Sequence, residues 1–166
     1  MPIQLIGGGS RSGKSRHALE LAQRHGPRRA FLATAQPLDS QMRDRIRRHQ
    51  QERGSSYTTI EEPLDVAGAV RQSASNFDVI VIDCLTLWLS NLIMAGREVE
   101  LSHELEQIAG TGVSCIVVTN EVGCGIVPEN ALARRFRDLA GTLNQQAVRH
   151  AAEAYWMIFG VPLRIK

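Results

Sequence analysis

Eight residues near the amino end, Gly8-Gly9-Ser10-Arg11-Ser12-Gly13-Lys14-Ser15, match the pattern G-x-x-x-x-G-K-S at every position. Glycines let the backbone turn tightly, so successive N–H groups point into one concavity that suits phosphate oxygens. A helix beginning at the loop would add the positive end of its dipole. Lys14 has the reach to meet β- and γ-phosphates, and the Ser15 hydroxyl is the kind of group that ligates Mg²⁺ beside them. Asp83 closes the run Asp78-Val79-Ile80-Val81-Ile82-Asp83, an apolar strand ending in a carboxylate that could share that Mg²⁺. Together these residues predict a nucleoside triphosphate site.

A second stretch carries chemistry. Met42-Arg43-Asp44-Arg45-Ile46-Arg47-Arg48-His49-Gln50-Gln51-Glu52-Arg53 has five arginines in its last eleven residues. Met42, Ile46 and His49 recur at i, i+4 and i+7 and so share one helical face. Three readings stay open. The stretch is a basic surface helix with a packed histidine. Or it binds nucleic acid, though aromatic residues are not interleaved with its charges. Or its arginines grip polyphosphate while His49 reacts with one of the phosphates. The other histidines, His17, His25, His103 and His150, lie in helical surroundings that suit solvated or capping roles. Cys84, Cys115 and Cys124 are odd in number and form no C-x-x-C pair, which points away from disulfides and zinc.

The elements that must hold these groups can be read from apolar periodicity. Buried strands are expected at residues 3–6, 30–33, 79–82, 115–118 and 155–158, with Pro162 in a last turn before a short edge strand at 163–166. Helical patterns alternate with them at roughly 14–25, 40–52, 64–75, 86–95, 101–109 and 129–151. Asp39 or Ser40 can cap the second helix and Gly54 can end it. Trp88, with Leu85, Leu89 and Leu92, reads as core or subunit contact. Leu132, Phe136, Leu139, Ala140 and Leu143 form the packing face of the long helix. Near-continuous apolar strands alternating with helices predict an α/β fold, a mostly parallel sheet covered on both faces. In such sheets chemistry gathers at the carboxyl ends of the strands. Those ends are the phosphate loop, Thr34-Ala35-Gln36, Asp83, and Thr119-Asn120-Glu121 with the glycine-rich segment 122–128.

At 166 residues the chain suits one domain spanning 1–166, and neither a repeat nor a linker divides it. Nineteen basic against seventeen acidic side chains leave a net charge of +2, too small to demand a nucleic-acid partner. No apolar run has the length of a membrane span, and the start lacks the basic and apolar regions of a signal peptide. The expectation is a soluble, cytoplasmic protein.

Taken together the stretches resemble the bifunctional adenosylcobinamide kinase / adenosylcobinamide-phosphate guanylyltransferase family of cobalamin biosynthesis. The resemblance rests on residues 8–18, on Met42 through His49, and on Thr59-Ile60-Glu61-Glu62-Pro63. It rests also on Val118-Thr119-Asn120-Glu121-Val122-Gly123 continuing Gly125-Ile126-Val127-Pro128, and on Phe136-Arg137-Asp138-Leu139-Ala140-Gly141 with Asn144-Gln145. It implies a P-loop NTPase fold like the nucleotide-binding core of recombinases, RecA-like, usually a homotrimer. It implies two reactions: ATP or GTP phosphorylates adenosylcobinamide, then GTP donates GMP to the resulting phosphate through a guanylyl-histidine, releasing pyrophosphate. The position matching that histidine is His49. Nucleotide contacts carry over to Gly8 through Ser15, to Ala33, Thr34 and Ala35, to Gln50, Gln51, Glu52 and Arg53, and to Glu61 and Asp83. Lys14 joins His49 as a catalytic group, and Ser15 and Asp83 are the metal ligands. Three departures stand out: Tyr57 replaces a common tryptophan, no proline follows Arg53, and the region from Leu92 to Cys115 is short. The alternatives are a P-loop kinase of another small alcohol, and a nucleotide-binding module or NTPase dependent on nucleic acid.

Overall fold

The computed structural model describes residues 3–97 and 101–166. Seven strands form one sheet: β1 (Ile3–Gly8), β2 (Arg29–Ala33), β3 (Thr58–Glu61), β4 (Val79–Asp83), β5 (Ser114–Val118), β6 (Ala151–Ile158) and β7 (Val161–Arg164). Among the described residues six helices join them: α1 (Lys14–Ala22), α2 (Ser40–Arg53), α3 (Val66–Ser73), α4 (Leu85–Met94), α5 (Leu101–Gly110) and α6 (Ala131–His150). The strand order is β3-β2-β4-β5-β1-β6-β7, parallel throughout except for the antiparallel β6–β7 hairpin. The expected α/β class is therefore observed.

Unbroken apolar strands arise because the sheet is covered on both faces. In β4, Ile80 and Ile82 point into one core cluster while Val79 and Val81 point into the other. The larger cluster lies under α3 to α6 and includes Trp88, Leu105, Ile108 and Leu143. The smaller one lies under α1, whose Ala18, Leu21 and Ala22 meet Ile6, Val81 and Ile116. Trp88 is fully buried, and its indole N–H donates to the Leu64 carbonyl at 2.8 Å.

Helix starts follow the side chains that can accept from free backbone N–H groups. Asp39 accepts from Met42 N at 2.7 Å and begins α2; Asp65 and Asn130 begin α3 and α6 in the same way. Gly54, at φ 60°, ends α2.

The structure differs from expectation in four places. β3 was not anticipated: its Thr58-Thr59 start has neither an apolar run nor alternation, as befits an exposed edge strand. β6 starts at Ala151 rather than near 155, directly after α6. The last strand starts before the predicted 163, at Val161, and carries Pro162 on the open edge, where a missing N–H costs nothing. Leu132 is half exposed, so the packing face of α6 begins a turn later.

Candidate active site

The phosphate loop joins β1 to α1. Gly8 lies at φ +149°, where a Cβ would stand 2.9 Å from both Met157 O and Ser12 Oγ, so only glycine fits without displacement. Gly13, at φ +96°, is the left-handed residue at the start of α1. Lys14 is buried, its ammonium donating to Gly9 O at 2.5 Å and weakly to Ser12 Oγ at 3.4 Å. Burial holds its pKa below the ordinary lysine value; Cys84 and Asp83 oppose that shift, and the Arg45 guanidinium adds to it. Ser15 Oγ donates to Asp83 Oδ2 at 2.7 Å, joining the first turn of α1 to the carboxyl end of β4.

Around this loop opens a cleft of about 770 Å³. Its floor is built from strand ends: Phe31 and Ala33 of β2, Glu61 of β3, Asp83 of β4, and Asn120 just past β5. Its other wall is α2. Met42, Arg45, Ile46, Arg48, His49 and Gln50 all line the cleft across from Ser10 to Ser15. The predicted i, i+4, i+7 face is thus the half-buried face of α2, and it looks onto the phosphate loop rather than onto the core. Arg53, at the end of α2, lies with its guanidinium carbon 3.7 Å from the centre of the Phe31 ring and donates to Thr59 Oγ1 at 3.3 Å. Burial lowers its pKa, against the pull of Asp83 and Glu61.

The sequence-predicted residues are therefore largely brought together, with exceptions. Thr34 is fully buried, and its hydroxyl both accepts from Cys84 N at 2.8 Å and donates to Cys84 O at 2.9 Å. It braces the backbone after Asp83 instead of facing the cleft. Gln51 points to solvent, and the side chain of Glu52 lies outside what is described. Gly8 and Gly9 contribute backbone only. Cleft residues that the sequence did not single out include Arg16 and Phe31, whereas Arg45 and Arg48 were expected among the arginines around His49 and Asn120 at a strand end.

The motif after β5 is a brace. Asn144 of α6 accepts from Thr119 Oγ1 at 2.6 Å and donates to Asn120 O at 3.1 Å. Arg137 donates to Gly123 O at 2.6 Å and ties the glycine-rich segment to α6. Of the histidines away from the cleft, His17 is not solvated: it meets the Tyr155 ring edge-on at 5.5 Å. His25 shares a hydrogen bond with Gln4 at 3.1 Å. Cys84 and Cys115 are buried thiols pushed up to about 12 by desolvation, and Cys124 is exposed and free. Among the described residues no helix is long and apolar enough to cross a membrane.

Residues 4–165 match the family model for cobinamide kinase / cobinamide phosphate guanyltransferase. The chain belongs to that family. A relative in Pseudomonas aeruginosa, the bifunctional adenosylcobalamin biosynthesis protein CobP, is 39% identical over 98% of this chain and 96% of its own. The Escherichia coli protein CobU, of the same description, is 34% identical over 98% of each. Among solved structures, the flagellar accessory protein FlaH of Methanocaldococcus jannaschii superposes with a TM-score of 0.53 at 14% identity, covering 99% of this chain and 78% of that one. The RadB recombinase gives 0.51 at 17% identity, covering 93% and 73%. At such identities these two share the fold alone, and it is the P-loop, recombinase-like core expected for the family.

Proposed function

We propose that the protein is a bifunctional enzyme that phosphorylates adenosylcobinamide with ATP or GTP and then transfers GMP from GTP to the product. The observation carrying this reading is one cleft shared by a phosphate loop and a histidine-bearing arginine helix. In the first step the substrate hydroxyl attacks the γ-phosphorus and gives up its proton to solvent, an O–P bond forms, and the bond to the departing nucleoside diphosphate breaks. Loop amides and Lys14 hold the phosphate chain in line and neutralise charge as the terminal phosphoryl group departs. In the second, an imidazole nitrogen of His49 attacks the α-phosphorus of GTP, an N–P bond forms, and the bond to pyrophosphate breaks. A phosphate oxygen of adenosylcobinamide phosphate then attacks that phosphorus and releases the neutral imidazole, giving adenosylcobinamide-GDP. Arg45, Arg48 and Arg53 offset negative charge along the way.

Ser15 and Asp83 fit a Mg²⁺ ion, since a hydroxyl and a carboxylate already meet there at 2.7 Å. Ser15 and Asp83 would hold the ion beside the nucleotide, where it would supply positive charge to offset that of the leaving group. Ser10 through Gly13, Ala33, Ala35, Gln50 and Glu61 are assigned to nucleotide contacts. The enzyme is further proposed to be a cytoplasmic homotrimer with no nucleic-acid partner; sedimentation equilibrium should then give three times the 18.3 kDa chain mass.

The deciding experiment labels the protein with GTP carrying the isotope at the α-phosphate. An acid-labile, base-stable label is expected on the denatured protein, absent from His49→Ala and absent with γ-labelled GTP. No label on a folded protein that still binds GTP would overturn the transferase assignment and leave a kinase.

A further inference from the structure

Asn120 lines the cleft with its backbone fixed and its side chain barely used. Its N–H donates to Thr86 Oγ1 at 2.8 Å, and its carbonyl accepts from Asn144 Nδ2 at 3.1 Å. On either side of it, Thr119 N–H donates to Ile6 O at 2.9 Å and Glu121 N–H to Gly8 O at 3.2 Å, which ties this stretch to the end of β1. A primary amide offers two N–H donors and an acceptor oxygen. Among the described residues the Asn120 amide makes one contact, from Nδ2 to Cys84 Sγ at 3.8 Å. A thiol is a weak acceptor, and burial keeps this one protonated. Water can serve such a donor anywhere on a surface, so the place of this one matters more than its freedom.

Strand register fixes that place. Val118, at the end of β5, pairs with Ile6 of β1 on one side and with Asp83 of β4 on the other. Two residues further on, Asn120 therefore stands between the phosphate loop and the strand end that carries Asp83. Lys14 and the Ser15–Asp83 pair mark where the β- and γ-phosphates belong. The nucleotide contacts proposed for Ala33 of β2 and Glu61 of β3 lie beyond β4 from the loop. A nucleotide touching both sets runs from those strands toward the loop, and its terminal phosphate ends beside β5.

We propose that Asn120 is a catalytic residue of the kinase step, its Nδ2 donating to an oxygen of the terminal phosphate and holding that group in line for the substrate hydroxyl. The hydroxyl oxygen bonds to the γ-phosphorus, the bond to the nucleoside diphosphate breaks, and the hydroxyl proton passes to solvent. In the guanylyl step the same phosphate is a spectator at the far end of the departing pyrophosphate. The contact is then equal in ground and transition states and adds little to the rate at saturation. Asn120 thus acts on one of the two reactions that share the cleft.

The role rests on the phosphate loop being the triphosphate site, and the two are tested by different variants. Asn120→Ala removes the amide and keeps both backbone bonds. Asn120→Asp keeps the shape but puts a negative acceptor where the donor was. Binding of ATP and ADP to the full-length protein is measured by calorimetry with Mg²⁺ present. Phosphorylation of adenosylcobinamide is followed beside labelling of His49 by GTP. In Asn120→Ala, affinity for ATP should fall about tenfold and affinity for ADP should change far less. Its kcat for phosphorylation should fall about thirtyfold, and labelling at saturating GTP should fall much less. Asn120→Asp should lose more than Asn120→Ala on ATP. Unchanged ATP affinity would overturn the role. So would an equal loss for ATP and ADP, which would mean a distorted loop, or an Asn120→Asp that matches the parent, which would make the side chain a spacer. Labelling lost in step with phosphorylation would overturn it too. Lys14→Ala should weaken ATP and ADP alike; if it weakens neither, the phosphate-loop reading fails and the role of Asn120 with it.

Discussion

In the proposed function Lys14 meets the triphosphate, and its burial gives the pH dependence of that contact a direction. Desolvation disfavours the ammonium, so in the free protein it loses its proton at lower pH than an ordinary lysine. A triphosphate binds the protonated form. Affinity for ATP should therefore hold near neutral pH and fall as pH rises through the alkaline range, with the fall setting in below 10.5. A calorimetric titration series with parent and Lys14→Ala checks this: the variant should bind weakly and show no such slope. At this scale the sequence was most informative where a motif fixes residue types, as in Gly8 to Ser15 and in Asp83. It was least informative where position depends on rotation about a strand. Thr34 lies between Ala33 and Ala35 in sequence, yet it alone turns inward to bond Cys84, because alternate residues at the end of a strand face opposite sides.

Among the elements, α2 is the one whose stability and chemistry are coupled. Arg53 over the Phe31 ring pins its carboxyl end. Its start depends on the Asp39 cap. Removing a cap costs about 1 kcal/mol, which a helix with so little packing must absorb locally. Asp39→Ala should therefore slow guanylylation of His49 by roughly fivefold, the equivalent of that free energy. Asp39→Asn, which keeps an accepting oxygen, should restore the rate. Hydrogen exchange over residues 40–53 should accelerate in the first variant and not the second. If both variants lose rate equally, the carboxylate acts through its charge and not as a cap. All six helices were legible from periodicity and capping residues, because each has an apolar stripe or a cap. β3 was not, since Thr58 to Glu61 at an open edge buries too little to impose a pattern.

For the whole molecule the strand order was beyond the sequence. Alternation implied parallel strands, but nothing in residues 3–8 announces that β1 lies between β5 and β6, which places Asp83 and the hairpin tip on opposite flanks of one loop. That arrangement rests on two cores pressed against a single sheet, and Trp88 joins α4 to the larger of them. It is the largest of the fully buried side chains, and its N–H holds the Leu64 carbonyl ahead of α3. Trp88→Ala should cost about 3–5 kcal/mol through lost burial and a residual cavity. Against a domain stability of roughly 5–15 kcal/mol that is a large fraction, visible as an early urea midpoint. Trp88→Phe keeps most of the apolar volume and deletes the hydrogen bond, so it should cost about 1 kcal/mol for the lost bond, plus part of the volume term. A midpoint for Trp88→Phe close to that of Trp88→Ala would mean that the bond to Leu64, and not burial, holds α4 in place.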